Sequence, residues 1–251
     1  MDPALKEKIK EVKRQHRQRD RSMPLIKGNG GKMLEDIVYG ANDGIITTFA
    51  VIAGVTGGSL SHSVLLILGF ASLFADGISM GMSNYLGATS RKQYEKACRA
   101  QEEWEVEYIP EEERKEIEDI YRQKGLKGQA LTDIVDHITA DKERWVDEMM
   151  MWEFGVHPHN NESAAKSGLT TFVAFVSAGL LPLVPYLFPL GSAHYFSVSI
   201  ISTAIILYAV GAARSFVTTV RWWIGGLEML GIGALAAVAA YGIGAFLKAI
   251  I

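Results

Sequence analysis

Carboxylates stand inside two apolar segments of membrane length, and this feature most limits what the chain can fold into. Asp43 interrupts residues 37–55, and Asp76 lies one helical turn before Met80 within residues 64–88. A charged side chain at the centre of a bilayer costs about 2.5–3.5 kcal/mol on insertion scales, so it normally faces a partner, a water-filled cavity or an ion. Because aspartate oxygen and thioether sulfur together suit a transition-metal ion, the pattern predicts a path for such an ion.

The distribution of charge predicts membrane spans separated by polar regions. Of the 251 residues 49% are hydrophobic, yet 19 of the 28 acidic residues lie within residues 91–163. A membrane-crossing helix needs about 20 apolar residues, and five segments qualify: 37–57, 64–88, 168–189, 193–213 and 224–247. The predicted domains are a basic leader (1–35), spans one and two (36–90), an insert (91–163) and spans three to five (164–251).

Basic residues give these spans an orientation. The leader, the insert and the Arg214 to Arg221 connection carry Lys or Arg, whereas the breaks at Thr56 to Ser63 and Pro185 to His194 carry none. The positive-inside rule then places the N-terminus and the insert in the cytosol and the C-terminus in a lumen or outside the cell. The predicted fold class is an all-α membrane protein, with five transmembrane helices and a three-helix cytosolic insert between spans two and three.

Carboxylates recur at helical spacing within the insert. Three helices are predicted there, over residues 91–108, 110–124 and 130–154, and residues three or four positions apart share one face of a helix. The candidate metal ligands at this spacing are Glu102, Glu105, Glu113, Glu116, Met149, Met150 and Glu153. Carboxylates that converge from several helices bind metal in ferritin-like bundles, although a solvated acidic face explains the same spacing.

Two motifs carry a family resemblance. The runs Tyr39 to Thr48 (YGANDGIITT) and Gly77 to Tyr85 (GISMGMSNY) resemble those of the vacuolar iron transporter family. The resemblance implies a homodimer in the membrane that moves Fe²⁺ out of the cytosol in exchange for protons. It also implies that Asp43 and Met80 bind metal within the membrane, and that the seven insert residues form a cytosolic metal-binding domain.

One position departs from the family pattern. The family usually carries a glutamate one turn after the methionine, where this chain has Asn84, and a small residue where it has Asp76. Asp76, Met80 and Asn84 are spaced i, i+4, i+8 and lie along one stripe of the predicted helix. We therefore include Asp76 and Asn84 among the candidate membrane ligands.

These features predict a transporter rather than an enzyme. The expected activity is proton-coupled export of Fe²⁺, with Mn²⁺ as a second candidate cargo and Co²⁺ and Zn²⁺ as further ions that such sites bind. No resident cofactor and no nucleic-acid partner are expected, and the membrane is that of a vacuole or of a bacterial or archaeal cell. The alternative is a membrane-anchored iron-binding or ferroxidase module, but a mere anchor would not need Asp43 and Asp76.

Overall fold

The computed structural model describes residues 30–156, 163–188, 194–213 and 221–251, together with Glu7 and Lys10. Most of the leader, the His157 to His159 segment and most of the Arg214 to Arg221 connection lie outside the described residues. The four continuous stretches contain only helices as regular elements, which confirms the all-α class. In order these are α1 Gly30–Gly57, α2 His62–Tyr108, α3 Pro110–Gln123, α4 Gln129–Thr139, α5 Lys142–Trp152, α6 Ala164–Gly179, a 3₁₀ helix Leu181–Leu187, α7 Tyr195–Ala213 and α8 Trp222–Ile250.

The chain divides into two compact units, Met1–Tyr85 with Ser163–Ile251, and Leu86–Glu162. In the first unit α1, α2, α7 and α8 are each long and apolar enough to cross a membrane, and α6 with the 3₁₀ helix provides a fifth crossing if the two count as one span. Helix α1 packs against α6, α7 and α8, so it occupies the middle of this unit. The first unit is that of a multi-pass membrane protein.

The third predicted span differs from a straight helix. Residues 168–189 contain the end of α6 at Gly179 and then the 3₁₀ helix, and the two axes are bent by 41°. Pro182 and Pro185 lie within the 3₁₀ helix. A proline has no N–H for the helical ladder and clashes with the preceding turn, so an α-helix cannot continue through this segment.

Glycines allow two pairs of helices in the first unit to approach closely. A Cβ atom on Gly81 of α2 would lie 2.9 Å from the carbonyl oxygen of Gly168 on α6. A Cβ atom on Gly225 of α8 would likewise lie 2.5 Å from the carbonyl oxygen of Gly211 on α7. These glycines are therefore positions of close helix packing.

The second unit contains the end of α2 and the helices α3, α4 and α5. As predicted, Pro110 opens α3, and the first turn holds three glutamates, which suits the positive end of the helix dipole. Gly125 and Gly128 separate α3 from α4 with φ angles of +95° and +59°, a region that glycine tolerates best. Buried apolar residues of α3, α4 and α5, including Ile117, Val135 and Val146, form the core.

The prediction of a single helix over residues 130–154 was wrong. Two helices, α4 and α5, occupy this stretch and meet at Ala140 and Asp141. Asp141 has an extended backbone, and its side chain accepts a 2.8 Å hydrogen bond from the backbone N–H of Arg144. Such a contact satisfies an N–H that a helix start leaves unpaired, so Asp141 caps α5 and ends the continuity with α4.

Candidate metal sites

Three glutamates of the second unit bring their carboxylate groups together. Glu102 and Glu105 lie one turn apart on α2, and Glu113 lies in the first turn of α3. One oxygen from each lies within 4.8 Å of the others. This is the one such grouping of three or more acidic, histidine or cysteine side chains among the residues that the structure describes. The sequence-based grouping of these three residues is therefore reproduced in space.

Burial sets the protonation of this cluster. Glu102 is 0% exposed and Glu113 is 3% exposed, and neither oxygen of Glu102 has a hydrogen-bond donor among the described residues. Burial is the larger cause, and the negative charges of neighbouring glutamates are the smaller one. Together they raise the pKa of Glu102 to about 8 and that of Glu113 to about 7. At neutral pH the cluster therefore holds protons that a divalent cation would have to displace.

Two further glutamates contribute to the electrostatics of the cluster. Glu153 follows the last residue of α5, and its pKa is raised by partial burial and by the charges of Glu116 and Glu105. Glu116 also raises the pKa of Glu113. All five glutamates named from the sequence are thus close enough to interact. Repulsion among them is the energy that a bound cation would relieve.

The two candidate methionines lie in the apolar core of the same unit. Met149 is 0% exposed and Met150 is 4% exposed, and both pack with core residues that include Cys98 and Trp145. Met149 lies one turn before Glu153, so the two share a face at the end of α5. Their burial accounts for both residues as side chains that fill the core.

A pair of carboxylates occupies the apolar helices of the first unit. Asp43 on α1 is half-buried, and Asp76 on α2 is exposed, with the two near enough for their charges to interact. The Asp76 carboxylate accepts a 2.5 Å hydrogen bond from the Ser72 hydroxyl one turn earlier. Met80 lies one turn beyond Asp76 and packs partly against the core around Phe175. The structure thus brings Asp43 and Asp76 together from two helices.

Asn84 makes contacts at the next turn of the same helix. Its amide nitrogen donates hydrogen bonds of 2.9 Å to the Asp36 carboxylate and 2.6 Å to the Thr171 hydroxyl. Asp36 lies on α1 and Thr171 on α6, so Asn84 connects three helices. Asn84, which was predicted as a metal ligand, is therefore hydrogen-bonded to the carboxylate of Asp36.

Asp36 was not singled out from the sequence. It is 3% exposed, accepts a short hydrogen bond from the Ser167 hydroxyl, and pairs with the Lys32 ammonium at 3.3 Å. The available signal was its spacing of seven residues before Asp43, which places both carboxylates on one face of α1.

Together these features define a multi-pass helical membrane protein with candidate cation-binding carboxylates in each unit. The profile of the VIT family matches residues 34–245, and the chain belongs to that family. Vacuolar iron transporter 1 of Oryza sativa subsp. japonica is 32% identical over 212 residues, which are 84% of each chain. Vacuolar iron transporter 1 of Arabidopsis thaliana is 30% identical over 211 residues, again 84% of each chain.

A third relative has a similar level of identity. The vacuolar iron transporter of Plasmodium berghei (strain Anka) is 34% identical over 224 residues, which are 86% of this chain and 82% of that one. The family resemblance predicted from the two motifs is therefore confirmed. Membership in a transporter family also confirms the predicted class, a transporter rather than an enzyme.

Proposed function

We propose that this protein exports Fe²⁺ from the cytosol across a vacuolar or other organellar membrane in exchange for protons, with Mn²⁺ as a second cargo. One observation carries most of the proposal: oxygens of Glu102, Glu105 and Glu113 meet within 4.8 Å, in a buried setting that favours their protonated forms. Relatives named vacuolar iron transporters support iron as the cargo and the vacuole as the destination.

The second unit would capture the metal on the cytosolic side. Carboxylate oxygens from α2 and α3 provide hard ligands, and Glu116 and Glu153 add negative charge that attracts a cation. Met149 and Met150 would supply softer sulfur at the same end of α5, a combination that suits a transition metal. Because Glu102 and Glu113 hold protons when the site is empty, metal capture would release protons.

The first unit would provide the membrane path. Asp43 on α1 and Asp76 on α2 lie near enough for their charges to interact, with Met80 one turn further along α2. A carboxylate can hold either a proton or a cation, so protonation from the lumen would release the metal, and loss of that proton would restore the site. This alternation is the simplest way for the two flows to be coupled.

A homodimer would complete this path. Asp76 is exposed in the single chain although it lies in an apolar helix. A charged side chain that faces lipid is costly, so such residues face a bundle interior or a cavity. A second copy placed against the exposed face of α2 would enclose Asp76.

Flux into proteoliposomes tests the proposal. Purified protein is reconstituted, and uptake of Fe²⁺ and Mn²⁺ is compared with an acidic interior and without a pH gradient. The proposal predicts uptake that the gradient drives, with internal alkalinisation as the metal enters. Equal metal flux with and without the gradient would contradict proton exchange and indicate a passive channel.

A further inference from the structure

The carboxylate of Asp36 is the most completely enclosed acid of the first unit among the described residues. It is 3% exposed and lies between α1, α2 and α6. Three groups approach its two oxygens: the Asn84 amide at 2.9 Å, the Ser167 hydroxyl, and the Lys32 ammonium at 3.3 Å. A buried carboxylate is stable only when such groups compensate the loss of water.

The cation that compensates Asp36 is partly exposed to solvent and is shared with a second carboxylate. The Lys32 side chain is 25% exposed, sits at the end of a flexible four-carbon stem, and divides its contacts between Asp36 and Glu35, whose carboxylate lies 3.2 Å away. Because the Asp36 carboxylate is buried, loss of this cation without a replacement would leave an unpaired buried charge and be strongly destabilising. Lys32 can therefore leave Asp36 only if another cation takes its place.

The neutral groups around Asp36 and Asn84 can all present an oxygen lone pair. Asn84 carries a carbonyl oxygen besides its amide nitrogen, and the hydroxyls of Ser167 and Thr171 each have lone pairs. Thr171 lies 2.6 Å from the Asn84 nitrogen, and the Ser167 hydroxyl lies 3.4 Å from it. If the amide turned over and the hydroxyls rotated, one carboxylate and three neutral oxygens would face the position that Lys32 leaves.

The side chains around Asp36 lie on the same two helices as the proposed membrane path. Asp36 precedes Asp43 by seven residues, about 10 Å along one face of α1, and Asn84 follows Met80 by one turn on α2. The two helices thus carry two successive levels of ligands, Asp36 with Asn84 and Asp43 with Asp76. A cation at the first level would be one step from the second.

We infer that Asp36, with Asn84, Ser167 and Thr171, forms a further divalent-cation site, and that the Lys32 ammonium occupies it in the empty protein as a tethered substitute for the metal. The inference rests on the proposed function, because it adds a station to the same path. Exchange of Lys32 for a metal keeps the buried carboxylate paired throughout. An all-oxygen set fits Fe²⁺ and Mn²⁺ and lacks the sulfur offered by Met80.

Mn²⁺ binding to the purified full-length protein tests the inference, with free Mn²⁺ followed by its electron paramagnetic resonance signal. Asp36→Asn should remove one bound equivalent per chain. Lys32→Gln should tighten one class of site by about fivefold to tenfold, because the competing cation is gone. Lys248→Gln removes the same charge from an exposed lysine that contacts Ser59, and it should bind Mn²⁺ like the parent.

Two results would overturn the inference. One is an unchanged Mn²⁺ affinity in Lys32→Gln, a variant at a partly exposed position that does not depend on Asp36→Asn folding well. The other is a full complement of bound Mn²⁺ in a folded Asp36→Asn protein, which would leave Asp36 as a purely structural link between helices. Mn²⁺ binding is measured without a pH gradient and does not depend on transport. If the parent protein showed no gradient-driven flux, that result would count against the proposed function alone.

Discussion

Carboxyl oxygens of Glu102 and Glu113 lie within 4.8 Å of each other, although the two residues belong to different helices and both side chains are shielded from water. When both groups are ionised and no cation is bound, this arrangement is unfavourable, because two like charges share a poorly solvated space. The second unit therefore keeps an energetic cost that a metal ion would remove.

Replacement of Glu102 by glutamine should stabilise the metal-free protein and weaken its metal binding. The amide keeps the size of the side chain and removes a buried group that ionises at high pH, so we expect a gain of about 1–3 kcal/mol at pH 8.5. Thermal unfolding and Mn²⁺ titration of the same sample measure both effects. Glu103→Gln, at an exposed neighbour paired with Arg99, is the matched control and should change neither. Lower stability of Glu102→Gln at pH 8.5 would contradict the prediction.

The metal-free protein should lose stability as the pH rises from about 5 to 8. The pKa of Glu102 is raised from 4.5 to about 8 and that of Glu113 to about 7, so in this window the folded state binds more protons than the unfolded state. Stability then falls with increasing pH, and it does so until both groups have ionised. Unfolding midpoints measured across this range, with and without Mn²⁺, check the sign. We expect the stabilisation by Mn²⁺ to grow with pH, and a constant difference would contradict the assignment.

Alanine at Gly81 should disturb the packing of α2 against α6. The added Cβ would lie 2.9 Å from both the Gly168 carbonyl oxygen and the Cβ of Phe172, so the helices must separate, at a cost of about 1–3 kcal/mol. Gly87 on the same helix has nothing within 4 Å of its Cβ position. Gly87→Ala should therefore be neutral or slightly stabilising, because alanine favours helix. Equal unfolding midpoints for the two variants would show that the close contact of α2 with α6 at Gly81 does not contribute to stability.

The sequence predicts the membrane spans and the insert because those features depend on local composition. Apolar length located the helices, and i,i+3 spacing placed Glu102 beside Glu105. The boundary at Asp141 was missed because one capping residue interrupts an otherwise continuous helical pattern, and its effect depends on a single hydrogen bond. Hydropathy and spacing patterns depend on many residues at once. They are therefore least informative where a single residue, such as a helix cap, decides where a helix ends.

The surroundings of Asp36 could not be predicted for a different reason. Its partners Asn84 and Ser167 are 48 and 131 residues away in the chain. Such contacts arise from the packing of three helices, which hydropathy does not specify. The spacing of seven residues from Asp43 is a signal that the sequence contains, but only the fold shows that the Asp36 carboxylate is buried and paired with Lys32.

The role of Asp43 and Asp76 in transport is tested by pH-driven Mn²⁺ uptake into proteoliposomes that contain the double variant Asp43→Asn and Asp76→Asn. Asparagine keeps the size of each side chain and removes the group that exchanges a proton for a cation, and Asp133→Asn, at an exposed position of α4 that accepts a hydrogen bond from Gln129, is the control. We predict that the double variant, folded and inserted like the parent, loses at least 90% of the uptake, roughly one factor of ten in rate, while the control keeps it. Uptake at the parental rate by the double variant would contradict the claim that carboxylates of α1 and α2 carry metal across the membrane.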